Sequence, residues 1–342
     1  MDTEVTEKDI SEAVTQAAAW DANWAERFPV RITGKQKTAF LNELEQELKL
    51  RGFETERHAF RSLGFTNQVL ITRCSEPRAI FLAHIDTATI MPFWLAWLSR
   101  LFGHTRQVEM TIAVFLFILF FYELLPKLMP SLILDIAQVF LGAVLLISSI
   151  TLLIPTPHNR EDNTSGVLGL MTLADWMKDK PVLRERVQFA FVDNEELGLL
   201  GSSALKRYWD QSKHPYQNAV IVSLDCISRG KKPLLVYHKE DNLARRLLPY
   251  IQRLLPDTET TNMGFLPLSD NYTFREHASV NISLADRSIL PGGYFIPDIH
   301  SPGDNDFSTE RFGKLMEGIA LAVRAISTLG ISETHPYKPT SL

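Results

Sequence analysis

The chain predicts an α/β fold: a mixed, mostly parallel central sheet flanked by helices and interrupted by an inserted two-helix apolar hairpin. Three observations carry this reading. Short apolar runs at 79–83, 189–192 and 219–224 read as strands buried on both faces, and each stops at a histidine or a carboxylate. Stretches such as 40–48 and 312–326 repeat apolar residues at helical spacing. Between the first strand and the others lie two runs of about twenty residues that are apolar on nearly every face.

The 342 residues, 45% of them hydrophobic, are enough for one large α/β core or two domains. A formal net charge of -5 supplies no basic field, so no nucleic-acid partner is expected. Cys74 and Cys226 have neither the density of a disulfide framework nor the spacing of a zinc finger, and both are expected to be inert core thiols. The acidic start, Met1 to Glu7, lacks the basic and then apolar regions of a secretory signal, which points to a cytosolic beginning.

In chain order, Phe40, Leu41, Leu44 and Leu48 mark a first helix, closed by Gly52 as its C-terminal cap. Residues 53–60 then alternate like the edge of a sheet, and 67–73 and 79–83 read as two more strands. The last of these ends in His84-Ile85-Asp86, which places a carboxylate where it can accept the second ring proton of His84 and fix its tautomer.

Residues 110–128 and 132–154 are each long enough to cross a hydrocarbon core of about 30 Å at 1.5 Å per residue. Glu123 and Asp135 lie toward the turn around Pro126, Lys127 and Pro130, so neither sits at mid-span. A helical hairpin buried in a soluble core is the alternative. Arg100, Arg106 and Arg160 flank the base while Lys127 alone marks the turn, which favours a cytosolic catalytic side. Before the hairpin, 91–102 carries Trp94, Trp97, Leu98, Leu101 and Phe102 beside Arg100; it reads as a helix at a membrane interface or as a packed core helix.

Beyond the hairpin, Asp162-Asn163-Thr164-Ser165-Gly166 leads into a helix; by itself it is an ordinary run of N-cap residues. The strand at 189–192 runs into Asp193-Asn194-Glu195-Glu196-Leu197-Gly198-Leu199-Leu200-Gly201-Ser202, and the strand at 219–224 ends at Asp225. Strand carboxyl ends line the ligand edge of an open α/β sheet, and neighbouring residues on extended backbone aim in different directions. One glutamate can therefore hold a metal while the other faces water. Later come Ser269-Asp270-Asn271-Tyr272 and Ile299-His300-Ser301-Pro302-Gly303-Asp304, and a last amphipathic helix from Ser308 packs through Phe312, Leu315, Met316, Ile319, Val323 and Ile326.

Taken together, these motifs resemble the M28 family of zinc-dependent peptidases, many of them aminopeptidases. The resembling segments are His-x-Asp at 84–86, Asp-Asn-x-Ser-Gly at 162–166, Glu-Glu-x-Gly-Leu-x-Gly-Ser at 195–202, Asp225, and the His300 segment. The resemblance implies a zinc aminopeptidase-like phosphorylase/hydrolase fold and two zinc ions, with manganese or cobalt as substitutes. His84 and Asp225 would hold one ion, Glu196 and His300 the other, and Asp162 would bridge them. Glu195 would act as general base on the attacking water, with Asp86 and Asp304 supporting the ligands. The substrate implied is a peptide or another amide, and the hairpin adds a lipid bilayer as partner, with the catalytic domain on the cytosolic face.

This chain departs from the family in three places. About seventy residues separate Asp86 from Asp162 where relatives have a short loop; Ile299 stands where many relatives have a tyrosine that polarises the carbonyl; and Asn271 replaces a histidine. Tyr272 or Tyr294 is the candidate substitute for that tyrosine. The expected organisation is 1–90 and 156–332 as two parts of one catalytic domain, 91–155 as interfacial helix and hairpin, and 333–342 as a loose tail. A hydrolase of N-acylated or amphiphilic amides, and an inactive membrane scaffold, are the other readings.

Overall fold

The computed structural model describes residues 7–62, 64–128, 131–263 and 269–329; the start at 1–6, Pro130 in the hairpin turn and the expected tail at 333–342 lie outside them. Helices α1 (Glu7–Arg27) and α2 (Gly34–Leu50) precede β1 (Thr55–Ser62), β2 (Phe65–Thr72) and β3 (Ala79–His84). The insertion contributes α3 (Phe93–Phe102), α4 (Gln107–Ile118), a π turn at Leu119–Leu124, α5 (Leu125–Leu128) and α6 (Leu132–Ser149). After it come α7 (Gly166–Met177), α8 (Pro181–Arg184), β4 (Val187–Val192), α9 (Leu200–Ser212), β5 (Val220–Leu224) and β6 (Lys232–Tyr237). The chain continues through α10 (Asn242–Gln252), β7 (Glu259–Asn262), β8 (Ser279–Arg287), β9 (Tyr294–Phe295) and α11 (Thr309–Leu329).

The strands form one sheet in the order β1-β2-β4-β3-β5-β8-β6-β7, with β9 paired to β8. Its centre, β4-β3-β5-β8, is parallel, and antiparallel pairs lie toward the edges. β3 and β4 are buried along their whole length, as their unbroken apolar runs require. One face of the sheet packs on α2, α7, α10 and α11, with α1 against α7 and α11, through a core that includes Trp24, Phe40, Phe81, Phe189 and Phe312. The other packs on α9 around Trp209, Tyr216 and Phe274. At the start of α2, Thr33 and Gln36 form a reciprocal capping box, and Gly52 follows the helix at φ +77°.

Within the insertion, two helices are long and apolar enough to cross a membrane: Val108–Leu128 and Leu132–Leu153. Only 0% and 6% of their apolar windows are buried inside the protein, so they are not core helices. They meet through Gln138, whose Nε2 donates to the Phe121 carbonyl at 2.6 Å, and Tyr122, whose hydroxyl donates to the Gln138 carbonyl at 3.0 Å. In α3, Ser99 is the buried residue, while Phe93 is 66% and Trp97 57% exposed. Trp94 Nε1 donates to Ser148 Oγ at 3.0 Å and ties α3 to α6. The two ends of the insertion are stitched together by a Thr89–Pro155 bridge, with Ile90 N donating to Ile154 O and Thr156 N to Ala88 O.

Candidate metal centre

Because β4, β3 and β5 run parallel in register, their carboxyl ends lie side by side, with His84 opposite Val192 and Leu82 opposite Ser223. β3 stands between β4 and β5, so Asp225 follows the direct neighbour of the His84 strand. Asp162 arrives from the segment before α7. There Asn163 Nδ2 donates to the Leu224 carbonyl at 2.9 Å and Asn163 Oδ1 accepts from Gly166 N at 2.9 Å, pinning the segment to the end of β5. Ser165 Oγ accepts from Ile227 N at 2.9 Å and adds a second anchor. A Cβ at residue 166 would lie 2.2 Å from both Asn163 Oδ1 and Leu224 O, which is why this position is glycine.

A similar close approach fixes the glutamate turn. A Cβ at Gly201, on the first turn of α9, would meet the Asp193 carbonyl oxygen at 1.9 Å. The turn is held from beneath by Lys37, whose buried Nζ lies 2.8 Å from Asp193 Oδ1 and donates to Asn194 Oδ1 at 2.7 Å and Asn67 Oδ1 at 3.1 Å. From the side, Asp86 accepts from the backbone of Glu195 at 3.1 Å and of Glu196 at 3.2 Å. Asp86 Oδ1 also lies 3.5 Å from His84 Nδ1, so one carboxylate orients both β3's histidine and the two glutamates.

The structure brings His84, Asp162 and Asp225 together in one group and Asp162, Glu196 and His300 in another, with ligand-type atoms within 4.8 Å of one another and Asp162 common to both. His84 also groups with Glu195 and Glu196. His84 Nε2 is 3.2 Å from Asp162 Oδ1 and 3.7 Å from Asp225 Oδ1; His300 Nε2 is 2.8 Å from Asp162 Oδ2 and 3.4 Å from Glu196 Oε2. Donors each about 2.0–2.1 Å from a tetrahedral ion stand about 3.3 Å apart. These separations fit that spacing. His84 Nε2 and Glu196 Oε1 are buried without a hydrogen-bond partner, although the former lies within ion-pair distance of Asp162. Buried polar atoms are normally paired, and this all-nitrogen and oxygen set fits a divalent cation such as zinc.

Electrostatics at the site is dominated by crowding. Burial opposes a charge on His84, but Asp162, Asp225 and Asp86 outweigh it and hold its pKa well above the usual value. Burial pushes Glu195 well above the ordinary carboxylate range; His84 draws it down, while Glu196, Asp225 and Asp270 push it further up. Asp304 accepts from Glu161 N at 2.7 Å and Asp162 N at 3.1 Å and fixes the backbone of the shared aspartate; burial moves it up to about 7.

Several residues at the site had no role assigned to them from sequence. Glu161 is fully buried and accepts from the backbone of Ser228 and Arg229, with burial moving it up to about 8. Arg31 is buried, donates to the Ile85 and Phe28 carbonyls, and feels Asp86, Asp162 and Asp304; burial lowers it to about 10. Asp270 has two buried oxygens without hydrogen-bond partners and, chiefly through burial, is raised to about 7. His104, in the single turn after α3, is lowered to about 4 by burial and by His300.

The two tyrosines differ from expectation. Tyr294 commits its hydroxyl to Glu259, which with burial raises it to about 12, so it is not presented to the cluster. Tyr272 packs edge-on against His238 and under Arg275. Of the two cysteines, Cys226 is buried as expected, but Cys74 is half-exposed, its Sγ donating to the Glu185 carbonyl; burial moves it up to about 11.

The sequence profile of peptidase family M28 matches residues 160–320. Over that stretch, a little under half of its length, the chain is similar to peptidase family M28. The matched stretch begins after the hairpin and contains Asp162, Glu195, Glu196, Asp225 and His300; His84 lies before it. The match supports a metal-dependent hydrolase of the kind found in this zinc-dependent family.

Solved structures share the fold. The LapA aminopeptidase of Legionella pneumophila superposes with a TM-score of 0.60 at 14% identity, over 95% of this chain and 74% of LapA. A glutaminyl cyclase of Bacteroides thetaiotaomicron, bound to N-acetylhistamine, gives 0.59 at 15% identity over 92% and 97% of the respective chains. A Zn-dependent exopeptidase of Parabacteroides distasonis gives 0.58 at 16% identity over 92% and 98%. A search of curated sequences finds no significant match.

Proposed function

We propose that the protein is a membrane-anchored, two-zinc metallopeptidase that removes residues from the amino end of peptides. The observation that carries this is the pair of three-residue groups sharing Asp162. His84 and Asp225 would hold one ion, Glu196 and His300 the other, and Asp162 both; manganese or cobalt would suit the same donors. Zinc at such a centre supplies an activated water and a Lewis acid for the scissile carbonyl.

Glu195 is the general base in this reading. It takes the proton of the attacking water and returns it to the leaving amine. Burial supports the role, since a carboxylate pushed upward is better matched to proton transfer near neutral pH. Asp86 keeps Glu195 and Glu196 oriented through their amides, and Asp304 does the same for Asp162. With Ile299 in the usual tyrosine position and Tyr294 engaged by Glu259, Tyr272 is the remaining candidate tyrosine for carbonyl polarisation, which bound ions would otherwise supply.

Anchoring is supported by the exposure of both apolar helices and by the exposed Phe93 and Trp97 on α3, which suit a helix lying in a membrane interface. The hairpin base also stands beside the site, which would bring substrates from the bilayer surface to Glu195.

Elemental analysis of the purified protein tests the proposal: close to two metal ions per chain are expected, and none after zinc or manganese reconstitution would refute it. A panel of free-amine peptides, N-acylated amides and peptides with amino-terminal glutamine separates peptidase, amidase and cyclase activity. The last is included because a glutaminyl cyclase shares the fold.

A further inference from the structure

His300 sits in a turn that is not at rest by itself. Asp298 at φ +58° and His300 at φ +53° both adopt left-handed backbone that non-glycine residues avoid, so surrounding contacts must hold them there. Part of the hold is internal: Ser301 Oγ donates to the Asp298 carbonyl at 2.6 Å, and Gly303 N donates to Ser301 Oγ at 3.0 Å. Arg229 adds to it by donating to Asp298 Oδ2 and to the Gly303 carbonyl, both at 3.0 Å.

The rest comes from the inserted segment. Met91 N donates to the His300 carbonyl at 2.7 Å, the only one of these bonds made by His300's own backbone. Arg100 donates to Asp298 Oδ1 at 2.8 Å. Upstream in the same loop, Ile289 N and Leu290 N donate to the Arg100 and Leu101 carbonyls, Arg106 donates to the Pro291 carbonyl, and Tyr294 N donates to Thr105 Oγ1. Gly293 lies so close to α3 that a Cβ there would meet the Phe102 carbonyl oxygen at 2.0 Å. By contrast, His84 and Asp225 stand on or directly after parallel central strands and, among the described residues, make no such bonds to the insertion.

We propose that the base of the hairpin is a positioning element for His300. The Met91 amide and the Arg100 guanidinium hold the His300 turn in place, so the Asp162–Glu196–His300 half of the centre depends on a docked hairpin base. The His84–Asp162–Asp225 half does not. This rests on the two-metal reading and deepens it by making the two half-sites unequal: one is built by the sheet, the other is completed by the segment that leads to the apolar helices. Met91 and Arg100 touch no reacting atom; they act through His300.

The test uses the full-length protein, stripped of metal and titrated with zinc against a chelating chromophore and with cobalt by visible absorption. Met91→Pro deletes the amide donor, and Arg100→Gln deletes the ion pair, with Arg100→Lys as the conservative variant. The wild type is expected to take up two ions in steps of different affinity. Each deletion should weaken one step about three- to tenfold and leave the other unchanged, the range for one hydrogen bond or one partly exposed pair. Arg100→Lys should restore most of the loss. Equal weakening of both steps, or unchanged binding in both deletions, overturns the inference while leaving the two-metal reading intact. A wild type that binds fewer than two ions refutes that reading and the inference with it.

Discussion

Asp86→Asn is the most informative single change, because one carboxylate faces three groups. Its oxygens accept from the amides of Glu195 and Glu196 at 3.1 and 3.2 Å, and one of them lies 3.5 Å from His84 Nδ1. Asparagine has nearly the same shape but one carbonyl oxygen, so one amide would face an NH2 group. A hydrogen bond to a charged group contributes about 1.5–3 kcal/mol. At about 1.4 kcal/mol per tenfold, losing one predicts about a 10- to 100-fold change. The loss falls on the state that needs the turn closed, which is the metal-bound one. Zinc affinity measured by chelator competition should therefore drop by that factor, matching the usual effect of removing a ligand's supporting partner. Melting of the metal-free variant, followed in parallel, separates this from general unfolding. Zinc affinity within about twofold of wild type, in a variant that melts normally, would refute the positioning role derived for Asp86.

Glu195→Gln should keep its metals and lose about two to four orders of magnitude in turnover, whereas full activity would place the general base elsewhere. His214 stacks on Trp209 at 4.7 Å, neither ring nitrogen has a hydrogen-bond partner among the described residues, and burial lowers its pKa to about 4. The unfolded chain binds a proton here below about 6.5 and the folded one does not, so this stability is present above 6.5 and is lost as pH falls toward 4. His214→Leu should flatten denaturation midpoints across that window, and an unchanged pH slope would contradict it. If the hairpin spans a bilayer with its base in the cytosol, a reporter fused after Leu342 reads as cytosolic and a cysteine at position 127 is labelled from the opposite side; the reverse pattern would invert the orientation.

The parts of the site carried by local pattern were legible in the sequence. An apolar run ending in a carboxylate or histidine marks the carboxyl end of a buried parallel strand, and His84, Glu195, Glu196 and Asp225 lie at or just beyond such ends, while their expected roles came from the resemblance to M28 peptidases. The hairpin was equally plain, because two long apolar helices need no partner to be recognised. What stayed hidden depends on distant packing. Lys37 reaches Asn194 across 157 residues, and nothing near either one announces the pairing. Arg31 resembles any surface arginine until Phe40 and the Ile85 carbonyl enclose it. Strand order was illegible for a similar reason: β2 enters antiparallel beside β4, so the β3 strand takes the central place between β4 and β5. Asp270 lay in a stretch already noticed for substrate contact, but its burial is a property of the assembled sheet.

The central place of β3 has a consequence for how the protein is made. Both of its neighbours, β4 and β5, are encoded after the hairpin. A ribosome therefore releases Val108–Leu128 and Leu132–Leu153 before β3 has anything to pair with on either side. At synthesis rates of about 5–20 residues per second, the interval from the end of the second helix to the end of β5 lasts several seconds. Throughout it two apolar helices precede most of the sheet that will carry them, and exposed apolar surface of that kind invites aggregation. If the hairpin spans a bilayer, its delivery there during translation would remove that hazard. The α/β domain would then finish folding last, tethered at the Thr89–Pro155 seam with β3 already made.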